Sequence, residues 1–430
     1  MIQLSEVKES IERKLSEKGI KKFAYTITSS RMEEFNAAGN EFSLLRTVFS
    51  YALSLSVFID GRKGTTAGTD FSEKAIEKTI DEAKKAAEAS ERDSAYDIAP
   101  SEGRIEMDRK YDGNTELFFD RMKELMNTIV SYYPSILVMQ AIGQNTSYET
   151  IYSNSNGTEY HSKGGFYEVY YGFSAHEDER TTGICSTSFM TKSLEKPFIE
   201  MASVRRDLEN AVKSLEMTSF EGKFDGTVIF TPGCLSDFLG FISEGLSDSL
   251  IMQGVSPLRD KLGEKIADER ITISLLSSSP DIVNGEVITD DGFRTEDTPI
   301  IENGVLKSFL LSLYAANKTG KPVTKNSSAD IVMEKGDRTL EEIISSVPRG
   351  LIVGGFSGGH PSVSGDFSGV AKNSFYIENG KVKGAVNETM INGNLLEMLK
   401  NVNAVSSERI SNGSSVLPYL AVNHVVVSSK

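Results

Sequence analysis

Four histidines, His161, His176, His360 and His424, are the first residues to test for metal or acid–base chemistry. No two lie within six residues of each other, so no helix turn can present a histidine pair to zinc. His176-Glu177 opens the run HEDER, which lacks a second histidine and reads as a solvated turn. Nucleophiles are equally scattered, and there is no G-x-S-x-G elbow. Ser357, Ser364 and Ser368 stand near His360 and Asp366. That is the inventory of a triad, and equally of a turn-rich loop, because Ser, Asp and Gly are turn formers. Cys234 precedes a helix, where the dipole lowers a thiol pKa; the alternative is a packed core thiol. The glycine run Gly354 to Gly359 follows Leu351-Ile352-Val353, but neither a Lys-Ser/Thr pair nor a helix comes after it, so it is a poor phosphate cradle.

Composition narrows the function classes. The 430 residues are 39% hydrophobic and 25% charged, which suits a globular protein of two or three domains. The net charge of −15 argues against gripping nucleic acid through its phosphates. Two isolated cysteines, Cys185 and Cys234, form no CxxC and suit a reducing cytoplasm. MIQLSEVKES carries no apolar signal segment and no run approaches membrane-span length, so no membrane is expected; the scattered histidines and the poor phosphate loop give no reason to expect a cofactor.

The elements that would position these groups follow from periodicity. Leu4, Val7, Ile11 and Leu15 recur at helical spacing, and residues 22 to 59 read as strands with a turn at Asp60-Gly61. Ser72 caps a helix bearing Ala75, Ile76, Ile80, Ala83 and Ala87. Residues 91 to 113 read as a polar connector. A helix with Phe118, Met122, Leu125 and Ile129 on one face follows, then strands over 136 to 192 with turns at Asn156-Gly157 and Gly164-Gly165. Within them Tyr167, Val169, Tyr171 and Phe173 alternate, and a helix over Phe198 to Leu215 closes the unit. Helix, strands, helix thus occurs twice, which suggests a duplication. Beyond Gly222 come a strand at Thr227 to Phe230, a helix with Leu235, Phe238, Leu239, Ile242, Leu246 and Leu250 inward, a strand at Ile271 to Leu276, and a hairpin turning at Asn303-Gly304. The fold class is α+β: units over 1–100 and 101–220, and a β-rich domain over 221–430 with an antiparallel sheet.

Gly358 to Leu399 is the most specific stretch. It holds a GG-x-P-x-x-x-G-D-F-S loop (Gly358, Gly359, His360, Pro361, Gly365, Asp366, Phe367, Ser368), a hairpin at Asn379-Gly380, and a helix capped by Asn394 with Leu395, Met398 and Leu399 on one face. These three unlike segments, in this order, resemble the C-terminal signature of the TldD/PmbA family, the modulators of DNA gyrase grouped with the peptidases. The gyrase name carries no implication of DNA contact here.

The resemblance implies that metal-bearing members carry H-E-x-x-x-H on the helix after a strand ending in P-G. An ungapped match from Pro232-Gly233 places that motif on Gly240 to Gly245, so that Gly240 and Gly245 stand at the histidine positions and Phe241 at the glutamate. The family's C-terminal cysteine ligand has no counterpart in Arg409 to Leu417. The chain therefore looks like the metal-free PmbA (TldE) type, with no catalytic residue of its own. The two glycines either thin the helix for a close backbone approach or kink it. The family implies a heterodimer with a zinc-bearing TldD-type subunit, whose zinc would polarise a scissile carbonyl, and an extended peptide substrate. The alternatives are a non-enzymatic homodimeric regulator and an independent metal-free hydrolase. The loop Gly358 to Ser368 is the expected contact with partner or substrate, or else a buried corner.

Overall fold

The computed structural model describes residues 3–39, 41–359 and 361–429, and mixes helix and strand throughout. The N-terminal half contains α1 (Leu4–Glu17), β1 (Phe23–Ala38), β2 (Glu41–Ile59), β3 (Arg62–Gly68) and α2 (Glu73–Ala89). After them come β4 (Arg104–Asp108), α3 (Thr115–Tyr132), β5 (Ile136–Asn154), β6 (Glu159–Glu177), β7 (Arg180–Thr181), β8 (Cys185–Thr191) and α4 (Val204–Lys213). The two helix–strand–helix units share one eight-stranded sheet, ordered β3-β2-β1-β5-β6-β4 with β7 and β8 on β6. The antiparallel β1–β5 ladder, Ala24 opposite Asn154 through Ala37 opposite Ala141, is the seam. Each helix pair closes its own core over the sheet. Leu4, Ile11, Ile76 and Ile80 pack with Leu53, Leu55 and Val57; Phe118, Met122 and Ile129 pack with Tyr167, Val169 and Phe173. Full burial of one such side chain is worth about 1.5–3 kcal/mol, so alternation along β6 is a strong folding constraint.

The C-terminal half begins with β9 (Lys223–Phe230), α5 (Pro232–Gly245), α6 (Asp248–Met252), β10 (Ile273–Leu275), β11 (Thr298–Glu302), β12 (Val305–Leu306), α7 (Leu313–Thr319), β13 (Ile331–Met333) and α8 (Leu340–Ser345). It continues with β14 (Arg349–Val353), β15 (Gly355–Ser357), β16 (Asp366–Lys372), β17 (Ser374–Glu378), β18 (Lys381–Val386), β19 (Met390–Asn394), α9 (Leu395–Lys400), β20 (Val402–Ser411) and β21 (Val416–Ser428). Thirteen strands form one largely antiparallel sheet with β21 and β9 at its centre; β9–β14 and β13–β21 pair parallel. The hairpins turn where expected, with Asp60-Gly61, Asn303-Gly304 and Asn379-Gly380 all at positive φ, the geometry of tight two-residue turns.

Several local expectations are corrected. Gly164-Gly165 is no turn but lies within β6, because the Tyr111 ring crosses Gly165 where a Cβ would overlap it. The connector over 91–113 holds β4, which pairs parallel with β6 from Arg104 opposite Glu159 to Asp108 opposite Lys163. The helix over Phe198–Leu215 is a 3-10 turn at Phe198–Glu200 followed by α4. The helix inward at Leu235–Leu250 breaks at Leu246-Ser247, so Ile251 on α6 takes the buried place and Leu250 is half-buried. His360 lies outside the described residues. Among the described residues, no helix is long and apolar enough to cross a membrane.

Candidate functional site

A cavity of about 960 Å³ opens between the two halves of the molecule. Its walls come from β8 and α4 on one side, and from the start of α5, the β14–β15 bend, β18 and the β20–β21 hairpin on the other. Amphipathic α4 buries Val204, Leu208 and Ala211 in the second N-terminal core. That orientation leaves Arg206 and Asp207 on the cleft side. The Arg206 guanidinium lies 5.1 Å from the Tyr419 ring centroid and donates to the Tyr419 hydroxyl, tying α4 to β21. The Asp207 carboxylate accepts from Thr187 Oγ1 and, at 2.7 Å, from Ser203 Oγ. Burial raises its pKa, and these two donors with Arg206 oppose the rise. Cys185, at the start of β8, is pushed up to about 11, chiefly by burial, so it is no ready nucleophile.

Sheet edges give the cleft its character. Ser186, Thr187 and Ser188 all line it, as do Val382, Lys383 and Gly384. Side chains alternate along the regular strand β8, so its three consecutive lining residues mean that the cleft meets that strand's edge. Met190 N–H donates outward to the Asn412 carbonyl at 2.7 Å. By the two-residue repeat, Ser188 and Ser186 direct their N–H and C=O groups to that same side, beyond the reach of β6. On β18 the register against β17 skips at Lys383, a bulge that leaves this residue unopposed.

The positions matching the family's zinc motif lie on α5, outside the cleft lining. Thr231 caps α5 and Pro232 occupies its first turn; Cys234, Leu235, Phe238, Leu239 and Ile242 form its buried face. Gly240 faces outward, and among the described residues beyond its own helix turn no atom lies within 4 Å of where a Cβ would stand, so no other segment's backbone approaches it there. Gly245 ends the helix, where its carbonyl accepts from Ser256 Oγ at 2.5 Å; the break reading suits this glycine. Phe241 packs against the core edge. Two hydrogen side chains and a phenyl ring offer zinc no donor, so these residues do not fit the ion. Among the described residues, no group of three or more His, Cys, Asp or Glu is placed to hold a metal. Cys234 is buried, which drives its thiol pKa far up despite the helix start.

The signature loop is a braced corner. One side chain, Asn394, joins its parts: Nδ2 donates to Ser364 O and Asp366 Oδ1, both at 2.9 Å, while Oδ1 accepts from Leu396 N–H and Glu397 N–H to cap α9. Asp366 also accepts from Ser364 Oγ at 2.8 Å, and Asn394 with Ser364 holds its carboxyl below the usual range. Ser364 thus bonds Asp366 directly, and the third group of the triad expectation, His360, lies outside the described residues. Phe367 is buried in T-shaped contact with Phe238 and Phe356. A Cβ on Gly359, at φ 52°, would overlap the Ser368 carbonyl. Gly358, Pro361, Gly365 and Ser368 complete this corner, and none of these residues lines the cleft. The sequence reading missed Arg206, Asp207 and Tyr419; Arg205-Arg206-Asp207 on an amphipathic helix was the available signal.

Comparison with known proteins agrees with the signature. The family model for the PmbA/TldA metallopeptidase C-terminal domain matches residues 222–429, and that for PmbA/TldA metallopeptidase domain 1 matches residues 26–87. The metalloprotease PmbA of Escherichia coli O157:H7 is 24% identical over 408 residues, covering 86% of this chain and 85% of that protein. A metalloprotease of Methanothermobacter thermautotrophicus is 33% identical over 232 residues, half of each chain. The crystal structure of TldE from Thermococcus kodakarensis superposes with a TM-score of 0.85 at 23% identity, covering 98% of this chain and all of that one. With the loop, hairpin and capped helix in place and both domain models matched, the chain belongs to the TldD/PmbA family of metallopeptidase-related proteins.

Proposed function

We propose that the chain is a metal-free, PmbA/TldE-like subunit of a TldD/PmbA-type metallopeptidase complex. It shapes the substrate cavity and supports a zinc-bearing partner in the proteolysis of peptides. The observation that carries this reading is α5, where Gly240, Phe241 and Gly245 replace every donor of the motif while the surrounding signature is kept. The cleft adds to it. The strand edge at Ser186–Ser188 leaves backbone donors and acceptors facing a cavity large enough for an extended segment, with the bulged Lys383 in the opposite wall. A peptide pairing there is held by its main chain, whatever its side chains. Arg206, Lys213, Lys372 and Lys383 stand among Asp207, Glu209, Glu216 and Asp237, so the walls favour no single sign of charge.

The test is reconstitution. Mixing the purified chain with a zinc-bearing TldD-type relative and a peptide should give cleavage that a chelator abolishes. The chain alone should give no cleavage and retain no stoichiometric zinc after dialysis. Chelator-resistant cleavage by the chain alone, or about one tightly held zinc per chain by elemental analysis, would overturn the proposal.

A further inference from the structure

The cleft walls as a whole favour neither sign of charge, but one position along them does. Of the cations that line the cleft, Lys213, Lys372 and Lys383 are exposed, whereas Arg206 is half-buried. A guanidinium taken partly out of water needs a carboxylate, or acceptors for its five N–H donors. Among the described residues Arg206 has neither. No carboxylate lies within 4.0 Å of it, and its one described hydrogen bond goes to the neutral Tyr419 hydroxyl. Asp207 turns its carboxylate to Thr187 and Ser203 instead. Glu209, three positions on, stays beyond that distance, and ion pairs at this helix spacing are weak competitors. The Tyr419 ring, 2% exposed, nevertheless fixes where the guanidinium stands. An arriving anion therefore meets a preorganised donor fork rather than a mobile side chain.

Strand β8 brings a ligand to that position. Cys185, Thr187 and Phe189 are buried on its helix-bearing face, where the Thr187 hydroxyl bonds Asp207 on α4. In a strand added to the outer edge of β8, the residue opposite Thr187 sends its side chain to that same face. Arg206 spans the face there, reaching from α4 to Tyr419 on β21. It also lines a second cavity of about 450 Å³ that shares Ser203, Glu209 and Ile410 with the cleft, so there is room for a carboxylate and its water. We infer that Arg206 receives a carboxylate of the bound peptide and makes the cleft select for a segment that carries one at this position, as an acidic side chain or as a free C-terminus. On the peptide reading of the cleft, on which this rests, main-chain pairing places the segment and Arg206 sets its preference.

The test is fluorescence anisotropy at low salt, with alanine–threonine hexapeptides that carry the same uncharged dye at the N-terminus. The reference probe has a central glutamine and an amidated C-terminus. A second probe replaces the glutamine by glutamate, and a third keeps glutamine but has a free C-terminus. Wild type should bind one or both carboxylate probes at least about tenfold more tightly than the reference. Preference for the second probe assigns the site to a side chain, and preference for the third to a terminus. Arg206→Gln should bring the preferred probe to within about twofold of the reference and leave the reference unchanged. If Arg206→Gln does not fold by circular dichroism, Arg206→Lys decides, since it keeps the charge, loses the fork and should lower the preference. Equal binding of all probes to wild type overturns the inference and leaves the peptide reading standing. So does a preference that survives Arg206→Gln, or one undiminished in Arg206→Lys. No binding of any probe overturns both.

Discussion

The N-terminal and C-terminal sheets hold themselves together in different ways. In the first, strands of up to 19 residues run side by side, and the β1–β2, β1–β5 and β5–β6 ladders carry the register over most of their length. In the second, most strands have seven residues or fewer, and order comes from individual side chains that bridge elements distant in sequence. Phe238 on α5 meets Phe230, Phe356 and Phe367 at centroid distances of 5.0, 5.3 and 5.2 Å. Asn394 ties two strand ends to a helix start. A long ladder spreads its stability over many small contacts. A patchwork of short strands concentrates it in a few bridges, so single substitutions there should travel further.

The largest expected effect is at the aromatic bridge. Phe238→Ala should destabilise by about 3–5 kcal/mol, because the ring is 2% exposed and three other rings would line the void. A denaturation midpoint indistinguishable from wild type would break the comparison at its strongest point. The corner gives a smaller, sharper test. Asn394→Ala should cost about 2 kcal/mol, against about 0.5–1 kcal/mol for Ser72→Ala, whose hydroxyl receives one 3.4 Å capping bond from Ala75 N–H. Equal losses at the two caps would mean that the corner is no more a bridge than an ordinary helix start.

The smallest effect concerns the clasp between the two halves. Asp93, beyond α2, accepts from Lys318 Nζ at 2.7 Å, Tyr314 Oη at 2.9 Å and Ala95 N–H at 3.0 Å. Its carboxyl is held at about 2, first by Lys318, then by Ala95 and Tyr314, against an ordinary 3.8. The folded pKa lies below the unfolded one, so the contribution is present above about pH 4 and disappears as pH falls through about 2. Thermal scans of Asp93→Asn should show a shallower loss of stability than wild type over that window. Parallel curves would remove the clasp as an acid-sensitive link.

Much of the architecture was legible because it is local. Tyr167, Val169, Tyr171 and Phe173 alternate because one face of β6 is buried, and Ser72 and Asn394 announce helix starts because an open N–H needs an acceptor close by in the chain. The corner from Gly358 to Ser368 was recognisable as a pattern. Its purpose as a brace was not, since the Asp366–Asn394 bond spans 28 residues. Gly164-Gly165 looked like punctuation because the residue that demands a missing side chain, Tyr111, lies more than fifty positions away.

The cleft marks the same boundary more fully. That Gly240, Phe241 and Gly245 cannot bind zinc follows from side-chain chemistry, which the sequence alone determines. Which strand edges stay open, and that Arg206 and Asp207 on α4 face Tyr419 on β21, depend on how the two sheets are set against each other. Amino-acid order encodes which groups can donate, accept or bury. The closing of ladders and the packing of helices decide which of those groups are left over, because a backbone edge is free only when the fold supplies no neighbour for it.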